Sequence, residues 1–245
     1  MSLALKLALA PLLVAQALAT RRRAPALPEA EGAREGRVGE GERLALLIVG
    51  DSSAAGVGVA TQEEALAGHL TRTLAHEAQR RVSWQLVARS GITTAQALEL
   101  VRQVRPMPAE IAVAVLGVND VIDQVSAARA VQQRAALADW LRQAAGVRHV
   151  VFAPLPPVHR FPLLPQPLRG VMGRDALAHN AALRQWAATR RDVSCVAIDL
   201  ALEPRWMARD GFHPGEPVYR ACGEAIAAHI AALPAEAPRA RRRSR

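Results

Sequence analysis

Five short apolar segments recur along the chain, separated by longer stretches in which apolar residues return every three or four positions. The apolar segments are 44–49, 84–88, 111–116, 149–153 and 193–198. Most of them are continuously apolar rather than alternating, which is typical of parallel strands buried on both faces. They therefore predict the strands of a central, mostly parallel, five-stranded sheet.

The stretches between these strands predict helices. Thr61 and Glu64 form a capping-box pattern, and Leu66, Leu70 and Leu74 follow on one helical face. Similar spacing covers 94–104, 127–145, 174–189 and 217–233. Because strands and helices alternate throughout, the pattern predicts an α/β fold built as a three-layer α/β/α sandwich.

The N-terminal 19 residues predict a targeting segment. An apolar run over 7–19 follows Lys6, and its length and small-residue end fit a signal peptide cleaved after Ala19. Arg21, Arg22 and Arg23 instead favour an uncleaved membrane anchor with the rest of the chain in the cytoplasm. Both interpretations stay open, with a periplasmic or membrane-associated location favoured over a cytoplasmic one.

The rest of the chain predicts one folded domain between two polar segments. Residues 20–43 are rich in Pro, Glu, Gly and Arg and predict a disordered linker, residues 44–233 a single folded domain, and residues 234–245 a basic disordered tail. Of the formal net charge of +9, residues 1–43 carry +2 and residues 234–245 carry +4, and aromatic residues make up 3% of the chain. A nucleic-acid partner is therefore not expected.

Metal and disulfide chemistry have little support in the sequence. Cys195 and Cys222 form neither a disulfide framework nor a metal-ligand pattern, so buried free thiols are expected. There is no His-Glu-x-x-His spacing or similar ligand pattern. We expect a monomer without a metal or another cofactor.

Polar motifs follow the predicted strands at the ends where open parallel sheets place their ligand sites. Strand one leads into 50–53, Gly-Asp-Ser-Ser, strand two into 89–91, Arg-Ser-Gly, and strand three into 117–120, Gly-Val-Asn-Asp. A fourth motif, 210–214, Asp-Gly-Phe-His-Pro, precedes the last helix. The shared edge of the sheet is the predicted site.

These motifs contain the groups that acyl transfer needs. Ser52 follows a glycine turn and requires a base to become nucleophilic, and His213 has Asp210 three residues earlier to orient its ring. Gly91 can present a backbone N–H to an oxyanion and Asn119 a side-chain amide, although each is also compatible with an ordinary turn or cap.

The four motifs, in this order, resemble the SGNH (GDSL) hydrolases. The resemblance implies a flavodoxin-like sheet, Ser52 as nucleophile, and Asp210 with His213 completing a triad. It also implies an oxyanion hole from the Ser52 and Gly91 N–H groups and the Asn119 side chain. The implied substrates are small acyl esters, thioesters or lipids, with membrane association through the N-terminus left open.

Ser53 departs from the family pattern, and a proline-rich stretch lies outside the four motifs. The family name expects an apolar residue where Ser53 stands, so Ser53 is an alternative nucleophile. The stretch 154–167 predicts a loop beside the site.

Two alternative functions remain. Gly56 and Gly58 follow the first strand and Arg89 ends the second, which suggests an NADP-type dinucleotide-binding protein, although Thr61 replaces the third glycine of that fingerprint. A catalytically silent SGNH-like binding module is the second alternative.

Overall fold

A computed structural model describes residues 3–199 and 202–234. Its centre is a six-stranded sheet of order β1-β3-β2-β4-β5-β6, parallel except for β1, which pairs antiparallel with β3. The strands are β1 (Glu35–Val38), β2 (Arg43–Gly50), β3 (Arg81–Ala88), β4 (Ile111–Val115), β5 (His149–Phe152) and β6 (Val193–Cys195). The predicted mostly parallel α/β sheet is confirmed, with one strand more than expected.

Helices cover both faces of the sheet in the part of the chain that the structure describes. They are α1 (Leu3–Arg23), α2 (Ser52–Ala55), α3 (Leu66–Ala78), α4 (Thr94–Val104), α5 (Val118–Ile122), α6 (Ala127–Ala144), α7 (Leu168–Ala187) and α8 (Glu216–Ala231). Short 3₁₀ turns occur at Val158–Arg160 and Pro204–Trp206.

Strand β2 explains why the predicted strands are apolar at nearly every position. Leu46 and Ile48 pack into the core layer formed with α3 and α8. Leu47 and Val49 point the other way, into the layer formed with α4, α6 and α7. Since successive side chains of a strand face opposite sides, a strand between two helical layers must be apolar throughout.

Strand β1 lies within the segment predicted to be a disordered linker, so that part of the prediction is wrong. Gly36 pairs with Trp84, and a Cβ at Gly36 would stand 3.1 Å from the indole nitrogen of Trp84. The strand has four residues, and its exposed and half-buried positions alternate without a large apolar residue before Val38. Such an edge strand leaves almost no hydrophobic pattern in a sequence.

The predicted capping box at Thr61 is also wrong. Helix α3 begins at Leu66 after Ala65, and Thr61 instead accepts backbone bonds in the turn before it. The structure has a capping box at Thr93 and Gln96, where α4 begins. A turn therefore separates Thr61 from α3, the helix that carries the apolar spacing of Leu66, Leu70 and Leu74.

Helix α1 rests against the main body near the proline-rich loop. Gln16 donates to the carbonyl of Gln166 over 2.7 Å and accepts the N–H of Leu168 over 3.1 Å. Across residues 3–199 and 202–234, no helix combines the length and apolar character needed to cross a membrane. The targeting role of 1–19 stays a prediction, and the predicted tail lies outside the described residues beyond Pro234.

Candidate active site

The turn after β2 presents Ser52 at the first position of α2. Asp51 caps this short helix by accepting the Ser53 N–H over 3.0 Å. Gly50 is required by close packing, because a Cβ there would stand 2.6 Å from the carbonyl oxygen of Val115 on the adjacent strand β4. The sequence Gly-Asp-Ser thus brings Ser52 to the carboxyl edge of the sheet.

A chain of hydrogen bonds joins Ser52 to His213 and Asp210. The Nε2 of His213 lies 3.0 Å from the Ser52 hydroxyl oxygen, and its Nδ1 lies 2.5 Å from Oδ2 of Asp210. The other Asp210 oxygen accepts the backbone N–H groups of Phe212 and His213, each over 3.0 Å. The loop backbone therefore holds one carboxylate oxygen of Asp210, and the other oxygen faces the imidazole of His213.

The Asp210 carboxyl is held in its ionised form. Burial opposes ionisation, but the hydrogen bonds from the ring and backbone of His213 and from the Phe212 N–H outweigh it and lower the pKa of Asp210. An ionised carboxylate at Nδ1 keeps a proton on that nitrogen and leaves Nε2 to accept one. This is the arrangement that a serine hydroxyl needs from its base.

Asn119 lies in α5, directly beyond β4. Its amide nitrogen is 3.3 Å from Oδ2 of Asp51 and 3.1 Å from the carbonyl oxygen of Ile92. Gly117 makes the preceding turn at φ +131°, where a Cβ would come within 2.4 Å of Arg134. Asn119 is therefore linked to the Ser52 turn through Asp51.

Gly91 follows the carboxyl end of β3, the neighbour of β2 in the sheet. Its φ of +78° is a conformation that favours glycine. Apart from Gly91 and its two chain neighbours, no heavy atom of the described residues lies within 4 Å of the place a Cβ would occupy. The space beside its backbone is open, as an approach to an incoming group requires.

Asp51 is a feature of the site to which the sequence analysis gave no role. It is buried, and burial raises its pKa to about 6 despite the opposing hydrogen bond from the Ser53 N–H. Since it contacts both the Ser52 turn and Asn119, it couples two motifs that are far apart in the sequence. The sequence signal for this role is that Asp51 directly precedes Ser52.

Asp120 and Arg134 form a buried ion pair behind the site that was also missed. Both side chains are 0% exposed, with Oδ2 and Nη2 3.6 Å apart. Asp120 also accepts the N–H and hydroxyl of Thr94, over 2.8 and 2.6 Å. Arg134 interrupts the apolar face of α6 between Ala130 and Leu137, which is a signal that its side chain has a buried partner.

An apolar cavity of about 620 Å³ opens beside Ser52, Asn119 and His213. It reaches Leu66, Tyr219 and Ile226, which belong to the core layer between the sheet and α8. The predicted proline-rich loop borders it through Pro154, Leu155, Pro156, Pro157 and Phe161. The volume falls within the range of small-molecule sites.

The cavity wall also carries both cysteines of the chain. Cys195 and Cys222 are free thiols on its wall, and burial raises the pKa of Cys222 to about 12, so this thiol is protonated and unreactive. Within the described residues, no cluster of three His, Cys, Asp or Glu side chains is placed to hold a metal ion.

The glycines that suggested dinucleotide binding are used for packing. A Cβ at Gly58 would lie 2.3 Å from the carbonyl oxygen of Pro214, and one at Gly56 would lie 2.6 Å from Ala30 Cβ. Their missing side chains admit neighbouring protein atoms rather than a pyrophosphate. The dinucleotide alternative is therefore not supported.

The α/β fold with its polar edge and the family match together place the chain in the class of ester-bond hydrolases. The model of the GDSL-like lipase/acylhydrolase family matches residues 48–221, and the chain belongs to that family. This agrees with the resemblance found in the sequence motifs. None of the curated proteins compared with the chain matches it.

Solved structures share the fold. A lipase, Lip_vut3, from a goat rumen metagenome is 18% identical with a TM-score of 0.63, covering 78% of this chain and 98% of its own. Est24, a carbohydrate acetylesterase from Sinorhizobium meliloti, is 16% identical with a TM-score of 0.59, over 78% and 99%. TesA is 25% identical with a TM-score of 0.55, over 74% and 95%.

Proposed function

We propose that the protein hydrolyses esters or thioesters of apolar acyl groups, with Ser52 as nucleophile and the acyl chain held in the cavity. The observation that carries this proposal is the hydrogen-bonded series Asp210, His213 and Ser52 at the entrance of an apolar cavity. The nucleophile Ser52 and its base His213 therefore lie directly beside the space that would bind the acyl chain.

The reaction proceeds through an acyl-enzyme. Nε2 of His213 accepts the hydroxyl proton while Ser52 Oγ bonds to the carbonyl carbon, and Asp210 stabilises the imidazolium through Nδ1. His213 then returns the proton to the departing alcohol or thiol as the bond to the acyl carbon breaks. Water repeats the sequence, adding OH to the acyl group and a proton to Ser52.

The negative charge that develops on the carbonyl oxygen is stabilised by the N–H groups of Ser52 and Gly91 and the amide of Asn119. In the resting protein the Asn119 amide is engaged by Asp51 and Ile92. Its 3.3 Å contact with Asp51 is at the long end of hydrogen bonds, so an oxyanion competes for that donor effectively.

The cavity favours an acyl chain longer than acetyl. An acetyl group would leave most of the apolar wall beyond Ser52 unfilled, whereas a longer chain reaches residues such as Cys222 and Ile226. Burying each CH₂ group contributes about 0.8 kcal/mol. A carbohydrate acetylesterase among the structural neighbours makes acetyl esters the natural comparison substrate.

Hydrolysis of p-nitrophenyl butyrate by matched serine variants tests the proposal. Ser52→Ala is expected to lose on the order of 10⁶ in kcat, as other serine hydrolases do without their nucleophile. Ser53→Ala, the matched control, is expected to retain activity because the Ser53 N–H contact with Asp51 is a backbone one. Full activity in Ser52→Ala would overturn the assignment, and a wild-type protein that binds but never hydrolyses acyl esters would indicate the silent binding module.

A further inference from the structure

The segment of residues 29–34, which precedes β1, contacts the loop that carries Gly91. Oε1 of Glu29 accepts the backbone N–H of Ser90 over 2.7 Å and the Ser90 hydroxyl over 2.8 Å. Ser90 is the residue immediately before Gly91 in an exposed loop. A carboxylate from a distant part of the sequence therefore holds the Arg89–Ser90 peptide and the Ser90 side chain, directly before this glycine.

Arg34 holds Glu29 in that position. Its guanidinium pairs with the second Glu29 oxygen and donates to the carbonyl of Ala88, at the end of β3, over 2.7 Å. Partial burial of Glu29 opposes ionisation, but the hydrogen bonds from Ser90 and Arg34 outweigh it and lower the pKa of Glu29. The bonds to Ser90 are consequently charge-assisted at neutral pH.

The same segment is bonded to the chain that follows Ser52. The N–H of Ala30 donates to the carbonyl of Ala55 over 3.1 Å, and the N–H of Glu31 donates to the carbonyl of Ala60 over 2.9 Å. The buried Gln62 amide donates to the carbonyls of both Ala30 and Ala55, over 3.1 and 3.0 Å. Six consecutive residues thus connect the Ser52 loop with the Gly91 loop.

We propose that Glu29 is a positioning residue for the oxyanion hole, holding the Gly91 N–H at its working distance from Ser52 through Ser90. The proposal rests on the oxyanion role proposed above for Gly91. Donors act at about 2.7–3.1 Å from the developing oxyanion, and a misplacement of about 1 Å can cost 10²-fold in rate. A flexible glycine in an exposed loop requires an anchor of this kind.

Variants of Glu29 provide the test, with Glu99→Ala as the matched control. Glu99 also pairs with an arginine, Arg102, but this pair lies on the exposed face of α4. Glu29→Ala is expected to lower kcat about 10-fold or more, below the 10²–10³ for complete loss of one oxyanion donor, with KM little changed. Glu29→Gln keeps an oxygen that can accept from Ser90 but loses the ion pair with Arg34, so it is expected to restore part of kcat.

A trifluoromethyl ketone, which forms a tetrahedral adduct with an oxyanion, separates positioning from a general loss of structure. Its affinity is expected to fall with Glu29→Ala by the same factor as kcat/KM. Ser90→Ala removes an exposed hydroxyl and is expected to lower both by a smaller factor, with a less than additive effect in the Glu29→Ala background. These two variants keep the test valid if one of them folds poorly.

Wild-type kcat and ketone affinity in folded Glu29→Ala would overturn the proposal, as would a loss of activity that Glu29→Gln does not restore. The wild-type enzyme measured in the same experiment separates this failure from failure of the proposed function. An active wild type with an unaffected Glu29→Ala contradicts the positioning role alone. An inactive wild type contradicts the hydrolase assignment on which that role depends.

Discussion

Acyl chains longer than acetyl are expected to be better substrates because they extend into the apolar cavity beside Ser52. Moving from acetate to hexanoate adds four CH₂ groups, and at about 0.8 kcal/mol each they contribute about 3 kcal/mol, or at most about 200-fold in kcat/KM. Cys222→Phe places a ring on the cavity wall and is expected to remove this gain while leaving acetate hydrolysis nearly unchanged.

The assay is a p-nitrophenyl ester series from acetate to decanoate. The value of kcat/KM is measured for the wild type and for two α8 variants, Cys222→Phe and Ala228→Phe. Ala228→Phe is the matched control, because Ala228 lies on the exposed side of the same helix. It is expected to keep the wild-type profile. A wild type that prefers acetate, or a Cys222→Phe profile identical to that of the wild type, would refute the role of the cavity.

Two further predictions concern the residues beside Ser52. Asn119→Ala is expected to lower kcat by about 10²–10³ through loss of an oxyanion donor. The control is Gln124→Ala, which removes an amide just after α5 that donates to the carbonyl of Val121, and it is expected to leave kcat intact. Equal kcat in the two variants would contradict this role. Asp51 binds its proton more tightly in the folded protein than in the unfolded chain, because its pKa is raised from 3.8 to about 6. Its stabilising contribution to the free energy of unfolding is therefore fully present below pH 3.8, the pKa in the unfolded chain. This contribution, at most about 3 kcal/mol, is lost as the pH rises to about 6. Urea unfolding across that range should show Asp51→Asn gaining stability relative to the wild type as pH rises, and a pH-independent difference would be inconsistent with a buried, titrating carboxyl.

The parts of the molecule that follow hydrophobic patterning were predictable from the sequence. Leu46 and Leu47 are adjacent yet both buried, because a strand between two helical layers has no polar face. The continuous apolar run that contains them therefore indicates a central parallel strand. The motif at each strand end then follows from topology, since parallel strands bring their carboxyl ends to one edge.

Other parts depend on contacts between residues that are distant in the sequence. Glu29 meets Ser90, and Asp120 meets Arg134, through the fold rather than through any local spacing. A polar segment such as 20–43 has the composition of a linker even where its backbone and charges bind the body. Propensity and periodicity describe local preference, so an exposed edge strand without an apolar run, such as β1, is outside their reach.

Labelling of the full chain with a fluorophosphonate probe, followed by peptide mapping, tests the central claim most directly. Such a probe reacts with a serine whose hydroxyl is activated by a neighbouring base. We expect a single adduct on Ser52, lost in Ser52→Ala and retained in Ser53→Ala. An adduct on Ser53, or undiminished labelling of Ser52→Ala, would contradict the assignment of Ser52 as the nucleophile.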